Sequence, residues 1–231
     1  MSRFTTQLAA GLLLAPALLA ASVAQAYQAG DIIVRAGAVT VDPRESSSTL
    51  KFDGASIPGT GATVDSDTQL GLNFVYMLNS NLGIELLAAT PFSHTVGVKG
   101  LGGGLDGKLA DIKHLPPTLS AVWYPLQHQS AFQPYVGAGI NYTTFFSEDL
   151  TGTRKAQGFS GLSLDDSWGL AVQIGADYML SDNLMLNAQA RYIDISTDAS
   201  VNGPTALGYQ QTKVKVDIDP WVYMVGLGYK F

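Results

Sequence analysis

The sequence predicts an all-β fold: an eight-stranded antiparallel transmembrane β-barrel of the outer-membrane type, following an N-terminal signal peptide. Three observations predict it. Segments of about ten residues alternate between large apolar and small or polar side chains, the period of a strand with two unlike faces. The connections between them alternate between short and long, as in outer-membrane barrels. Charge is scarce: Asp, Glu, Lys and Arg make up 14% of the 231 residues, while the hydrophobic share is 46%. An ordinary soluble domain carries roughly 25% charged residues at a similar hydrophobicity.

The same composition excludes other classes. Normal hydrophobicity with little charge does not make a disordered chain. A net charge of −6 without a basic cluster argues against nucleic-acid binding. The absence of cysteine removes disulfide scaffolds, thiolate zinc sites and thiol nucleophiles.

Residues 1–26 read as a signal peptide. Arg3 supplies the positive start, Leu8 to Ala21 an apolar stretch broken by Gly11 and Pro16, and Ala24-Gln25-Ala26 a small-x-small cleavage site. A membrane-anchoring helix would need about 20 apolar residues. Residues 27–231 then form the barrel, and no later apolar run is long enough for a transmembrane helix.

The strands follow in order. Ile32–Val41 is one of two weaker ones. In Thr68–Leu78, Leu70, Leu72, Phe74, Tyr76 and Leu78 oppose Gly71 and Asn73. In Leu82–Thr90, Leu82, Ile84, Leu86 and Ala88 oppose Gly83, Glu85 and Leu87. Pro117–Pro125 is the second weak strand. Phe132–Phe146 sets Val136, Ala138, Ile140 and Tyr142 against Tyr135, Gly137, Gly139 and Asn141. Trp168–Leu180 and Leu184–Tyr192 repeat the contrast, with Gln173, Asp177, Asn187, Gln189 and Arg191 on the polar side. Asp219–Phe231 ends the chain, with Trp221, Tyr223, Val225, Leu227, Tyr229 and Phe231 on one face. Asn79-Ser80-Asn81, a polar segment holding His128, and Ser181-Asp182 are the short turns. Residues 42–66, 94–116, 147–166 and 196–217 are the long connections, rich in Gly, Ser, Asp and Thr.

A soluble sandwich or lipocalin-like barrel would turn the apolar face inward and carry many charges outside. Here the smaller face holds mainly Gly, Ala, Asn, Gln and isolated charges, which suits the interior of a narrow barrel. A charge on the lipid face at the bilayer midplane costs about 2–4 kcal/mol, which accounts for the scarcity. Trp168, Tyr178, Trp221, Tyr223, Tyr229 and Phe231 fit interfacial aromatic girdles. The terminal Tyr229-Lys230-Phe231 looks like the signal read by the outer-membrane insertion machinery.

Several segments resemble the OmpW family of Gram-negative outer-membrane proteins, closest to its pseudomonad OprG-like branch. They are Leu86-Leu87-Ala88-Ala89-Thr90-Pro91-Phe92, His114-Leu115-Pro116-Pro117-Thr118, Tyr135 through Phe146, and Asp219-Pro220-Trp221. The resemblance runs from about Ala29 to Phe231. It implies an eight-stranded barrel with periplasmic termini, a mostly hydrophobic extracellular funnel, uptake of small hydrophobic molecules, and sideways exit into the membrane through a break in the wall.

Pro91 is the leading candidate for that break. It follows the third strand directly and cannot donate to a ladder. Pro116 and Pro117 begin the neighbouring strand. Together they mark a lateral gate between strands three and four, with carbonyls left unpaired, or a plain strand end. Arg35, Glu85, Asp177, Arg191 and Lys230 share inward parity, so opposite charges could pair and plug the lumen. The resemblance places a funnel floor at Leu87 and Arg191. Arg191 departs from the apolar aromatic associated with that position, which leaves room for polar solutes. Phe145, Phe146 and Phe159, with Leu162 and Leu164, line the funnel mouth or pack the loops.

Other features carry no chemistry at this level. Gly102 to Lys108 imitates a phosphate-binding loop, but Leu109 replaces the required hydroxyl and no strand–loop–helix context surrounds it. His94 and His114 flank one connection and could meet, though nothing has metal-ligand spacing. Asp65/Asp67 and Asp165/Asp166 read as solvated loop faces. No enzyme, cofactor or metal is expected. The expected partners are outer-membrane lipid and lipopolysaccharide, small hydrophobic solutes and the insertion machinery, around a monomer. Alternatives are a narrow channel for small polar solutes such as small amino acids, or a structural barrel with adhesive or phage-receptor loops.

Overall fold

The computed structural model describes residues 27–126 and 130–231. The signal-peptide reading of residues 1–26 and His128 lie outside the described residues. Eight antiparallel strands form the barrel: β1 (Ile32–Asp42), β2 (Asp67–Met77), β3 (Leu82–Ala89), β4 (Thr118–Trp123), β5 (Phe132–Leu150), β6 (Ser167–Met179), β7 (Leu184–Ile193) and β8 (Trp221–Lys230). Each pairs with its sequence neighbour where a short turn or long excursion joins them, and β8 pairs with β1 to close the wall. Closure leaves no edge, the condition for crossing lipid with strands.

All eight predicted strands are present, with ends shifted by up to four residues. The largest shift is in β5. Its lower part, through Thr143, pairs with β6, while Thr144–Leu150 leaves the barrel wall and pairs with Gly107–Leu115. The long connections are a larger departure from expectation. They read as Gly- and Ser-rich loops, but much of their length is sheet. Phe92–Lys99 and Gly107–Leu115 form a hairpin, flanked by Gly61–Val64 and the upper end of β5. Ser160–Leu164, Ser196–Asn202 and Gln211–Asp217 form a second sheet, which takes in the short strands Ser46–Ser47, Lys51–Phe52 and Ala55–Ser56. The wall of the barrel therefore continues beyond the membrane as two sheets with a space between them.

The outward face is the apolar one. Along β6, Leu170, Val172 and Ile174 are 67%, 54% and 61% exposed, whereas Ala171 and Gln173 between them are 3% and 6%. Aromatic clusters bound this band. Tyr142 with Trp168, and Tyr192 with Trp221 and Tyr223, lie toward the long-connection end; Tyr229 and Phe231 lie at the other. Trp221 to Tyr229 spans about 26 Å along β8 at 3.3 Å per residue, enough for the hydrocarbon core. A nitroxide-labelled lipid is expected to quench both Trp168 and Trp221 in vesicles; protection of either would overturn this register.

Inside, the small residues permit close packing. A Cβ on Gly175 would sit 2.5 Å from the Tyr135 hydroxyl and ring, so only glycine lets that ring lie against β6. The lumen is layered. Toward the short turns, Tyr27, Ile33, Val75, Met77, Val122, Tyr124, Tyr135, Met179 and Met185 pack as one cluster. Toward the long connections a second cluster includes Val39, Leu87, Phe92, Ile112, Phe145, Ile193, Val216 and Met224. Charged and amide side chains occupy the lumen between and beside them.

Candidate functional site

Three structures meet where the barrel passes into its extracellular extension: a break in the wall, a filled lumen below it and an apolar space above it. The break lies between β3 and β4. Their ladder stops at Leu87 opposite Thr118 and resumes above as Phe92 opposite His114. Ala88–Pro91 and Leu115–Pro117 bound the interval. Strand alternation explains why the prolines matter here. Thr90 donates its N–H to Leu70 on the β2 side, so position 91 faces β4, and Pro91 has no N–H to give. Pro117 accepts from Tyr142 of β5, so position 116 faces β3, and it too lacks a donor.

One expectation about this break is corrected on the β4 side. The carbonyls of Pro116 and Pro117 are not left unpaired. Asn141 donates its side-chain amide to the oxygens of both Pro116 and Pro117 at 3.1 Å, and Thr118 donates its hydroxyl to Pro116. A break in the wall thus exists without naked carbonyls on the β4 side, the condition for tolerating it at membrane depth. Pro91 and Pro117 are exposed and Pro116 is buried. Tyr142 and Trp168 stack beside this level, so the break sits at the upper girdle.

Below it, the predicted lumen charges come together. Arg35 donates to both oxygens of Asp177 at 3.0 and 2.6 Å, and to Glu85 at 3.3 Å. Arg191 pairs with Glu85 and Gln173. Tyr27 and Tyr124 complete the group, donating to Asp177 at 2.6 Å and accepting from Arg35 at 2.7 Å respectively. Arg35, Glu85 and Asp177 are fully buried, and Arg191 nearly so. Lys230 is half-buried at the short-turn end, where its backbone oxygen accepts from the Asn183 side chain. Sequence reasoning missed the roles of Asn73, which accepts from Arg35 at 3.1 Å, and of Gln173, Tyr27 and Tyr124. Inward parity could have picked out Asn73, Gln173 and Tyr124, the last of which continues the alternation of Thr118, Ser120 and Val122, whereas Tyr27 precedes the first strand.

Above the break, the two extracellular sheets enclose narrow apolar slots. The outer one is lined by Leu50, Phe52, Val98, Leu101, Leu109, Phe159 and Val201, and holds about 450 Å³ of atom-free space, mouth included. The next, of similar volume, reaches down to Val64, Ile112, Leu164, Val216 and Ile218. Both share Ala62, Leu109, Leu162 and Val214. A smaller one, about 230 Å³ of atom-free space counted to its mouth with room for about one water-sized group, continues to Val41, His94, His114 and Phe145. Phe145, Phe159, Leu162 and Leu164 each line one or more of these slots. Phe146 does not: it follows Phe145 with opposite parity, across from exposed Lys113, and faces away from the path. Leu87 is buried in the upper apolar cluster, and Arg191 belongs to the polar layer. The floor is thus apolar on the Leu87 side and charged on the other.

Of the acidic pairs, Asp65, Asp165 and Asp166 are exposed and Asp67 partly so, and two of them also hold structure: Asp65 accepts the N–H of Thr95 at 2.6 Å and Asp67 that of Ser93 at 2.8 Å, so both pin the hairpin above the break. Asp166 accepts from the Tyr142 hydroxyl at 2.5 Å. Gly100 to Asp106 is a turn, with positive φ at Gly100, Gly102, Gly103 and Gly104. Among the described residues no group of three or more potential ligands gathers for a metal.

His94 and His114 do meet, their Nε2 atoms 2.9 Å apart, above the membrane-spanning strands. Burial pushes both imidazoles down, helped for His114 by its neighbour, and His114 falls to about 3. Asp65 and Asp67 face His94 and oppose the shift without cancelling it. A histidine that titrates near 6.5 when opened and near 3 when packed binds more protons in the opened state between those values. Stability of this hairpin therefore falls as pH drops through that window. Amide exchange over Phe92–Lys99 and Gly107–Leu115, corrected for intrinsic rates, is expected to be several-fold less protected at pH 5 than at pH 7. Equal protection would contradict it.

Comparisons with known proteins agree with this architecture. The sequence model of the OmpW family matches residues 28–231. Outer membrane protein W of Vibrio cholerae is 45% identical over 215 residues, covering 93% of this chain and 95% of that protein. The crystal structure of OprG from Pseudomonas aeruginosa superposes with a TM-score of 0.87 at 62% identity, covering 90% of this chain and 98% of that one. The NMR structure of outer membrane protein W from E. coli gives 0.58 at 43% identity, covering 89% and 100%.

Proposed function

The chain belongs to the OmpW family, and from that premise we propose that its barrel takes up small hydrophobic molecules and releases them sideways into the membrane beside Pro91. It is an outer-membrane β-barrel, and its relatives support a transport role. The observation that carries the finer reading is where the apolar slots lead. They descend between the extracellular sheets to His114 and Phe145, next to the interval where the β3–β4 ladder is interrupted. Below that point the lumen is filled by Arg35, Glu85, Asp177 and Arg191. An apolar solute going straight down would have to separate buried charges, at several kcal/mol each. Moving sideways, it would exchange one apolar surrounding for another. Polar atoms already satisfied by Asn141 let the wall stand open at modest cost.

In this reading the barrel works as a monomer, ringed by lipid and lipopolysaccharide. The charged lumen favours a second reading, a narrow path for small polar solutes such as glycine. Proteoliposomes with lipopolysaccharide in the outer leaflet separate them. Uptake of an apolar dye with little conductance is expected. Glycine flux without dye uptake would favour the second reading, and neither flux from a folded barrel would favour a structural or surface-interaction role.

A further inference from the structure

Where the apolar path ends, two histidines are buried that hydrophobic uptake leaves unused. His94 and His114 are 2% and 3% exposed. His94 Nδ1 lies 2.5 Å from the backbone oxygen of Asp65, and the two Nε2 atoms face each other at 2.9 Å. These contacts determine both tautomers. A carbonyl oxygen only accepts, so His94 Nδ1 carries a proton and donates it to Asp65. Burial keeps both rings neutral, so His94 Nε2 is a lone pair. Two lone pairs do not approach to 2.9 Å, so His114 Nε2 carries its proton and donates to His94. His114 Nδ1 is then an acceptor. It is buried and has no hydrogen-bond partner.

The His114 ring is held in place. It stacks against Phe145 at 5.9 Å with an interplanar angle of 14°, and packs against Phe92 at 5.5 Å. It borders the innermost cavity, whose walls Val64, Ile112 and Ile218 are shared with the slot above. An acceptor buried without a donor is costly, so a solute that brings a donor to it gains by arriving.

Resting on the hydrophobic-uptake reading, we infer that His114 Nδ1 is a specificity-determining acceptor, and that the path prefers slender apolar solutes bearing one hydrogen-bond donor, a hydroxyl or an N–H. An ether of the same shape brings only a second acceptor and leaves the nitrogen unsatisfied. A hydrocarbon brings nothing.

The test uses the full barrel in lipid nanodiscs, with ¹⁵N-labelled imidazoles and ¹³C-labelled methyls. It is titrated with 1-octanol and, separately, with methyl heptyl ether, each compared at equal concentration in the lipid. The Nδ1 resonance of His114 is expected in the unprotonated range, and octanol but not the ether should move it. Octanol should bind about 2- to 12-fold more tightly, the worth of one net hydrogen bond. The double variant His94→Leu with His114→Phe, which removes both ring acceptors, should abolish the difference, and His114→Gln alone, which keeps an acceptor, should retain part of it. A protonated Nδ1, or equal responses to alcohol and ether, would overturn the inference. If both ligands move the Leu162 and Val214 methyls equally and the His114 nitrogen stays silent, only this inference fails. If neither ligand moves the slot methyls, hydrophobic uptake fails and the inference with it.

Discussion

Pro91→Ala is expected to lower dye uptake about fivefold while leaving the barrel folded. The substitution returns an N–H to a position that faces β4, where the ladder is interrupted between Leu87 opposite Thr118 and Phe92 opposite His114. One added ladder bond is worth about 1 kcal/mol net, and that biases the wall toward closure by about fivefold. The charged lumen network lies below the change and keeps its contacts, so heat-modifiable gel mobility should be normal. Uptake at the original rate by such a folded variant would sink the lateral route. A loss of uptake in Pro117→Ala alone would not replace it, because position 117 faces β5, where it already accepts from Tyr142.

Glu85→Ala should destabilise the barrel far more than the loss of any surface ion pair. Glu85 accepts from Gln173 at 2.8 Å, pairs with Arg191 and lies 3.3 Å from Arg35. Its removal leaves Arg191 buried without a counter-charge. Breaking one side of a buried pair costs about 3–5 kcal/mol, which corresponds to a drop of roughly 1–3 M in the urea midpoint for unfolding in vesicles. Asp217→Asn removes the partner of Lys215 in an exposed pair at 3.5 Å and should change stability by about 0.5 kcal/mol or less. A similar, small effect of both substitutions would mean that the lumen network is solvated and that the straight route is open.

Much of this was legible in the chain. Period-2 alternation located β2, β3 and β5–β8 because lipid enforces an unbroken apolar face, and one misplaced charge there is costly. The same parity put Arg35, Glu85, Asp177 and Arg191 inside. Prolines at 91, 116 and 117 marked the interruption because the missing N–H is a property of the residue itself. The extracellular sheets were harder to see. Gly, Ser, Thr and Asp dominate them, and these residues signal turns. Lys213-Val214-Lys215-Val216-Asp217 does alternate and could have been read as a strand, but Phe92–Lys99 could not, because its pairing depends on Asp65 and Asp67 capping Thr95 and Ser93 from a distant segment.

By itself, then, the sequence determined a closed barrel with a lipid-facing band, a charged interior and prolines without ladder donors at neighbouring strand ends, since each follows from local periodicity or from the chemistry of single residues. Tertiary structure alone decided that Asn141 satisfies the proline carbonyls, that the apolar slots end at the interruption, and that His94 and His114 share a proton there. Those features rest on contacts between residues 20 or more apart in the chain, and a pattern of period two carries no record of which distant strands will meet.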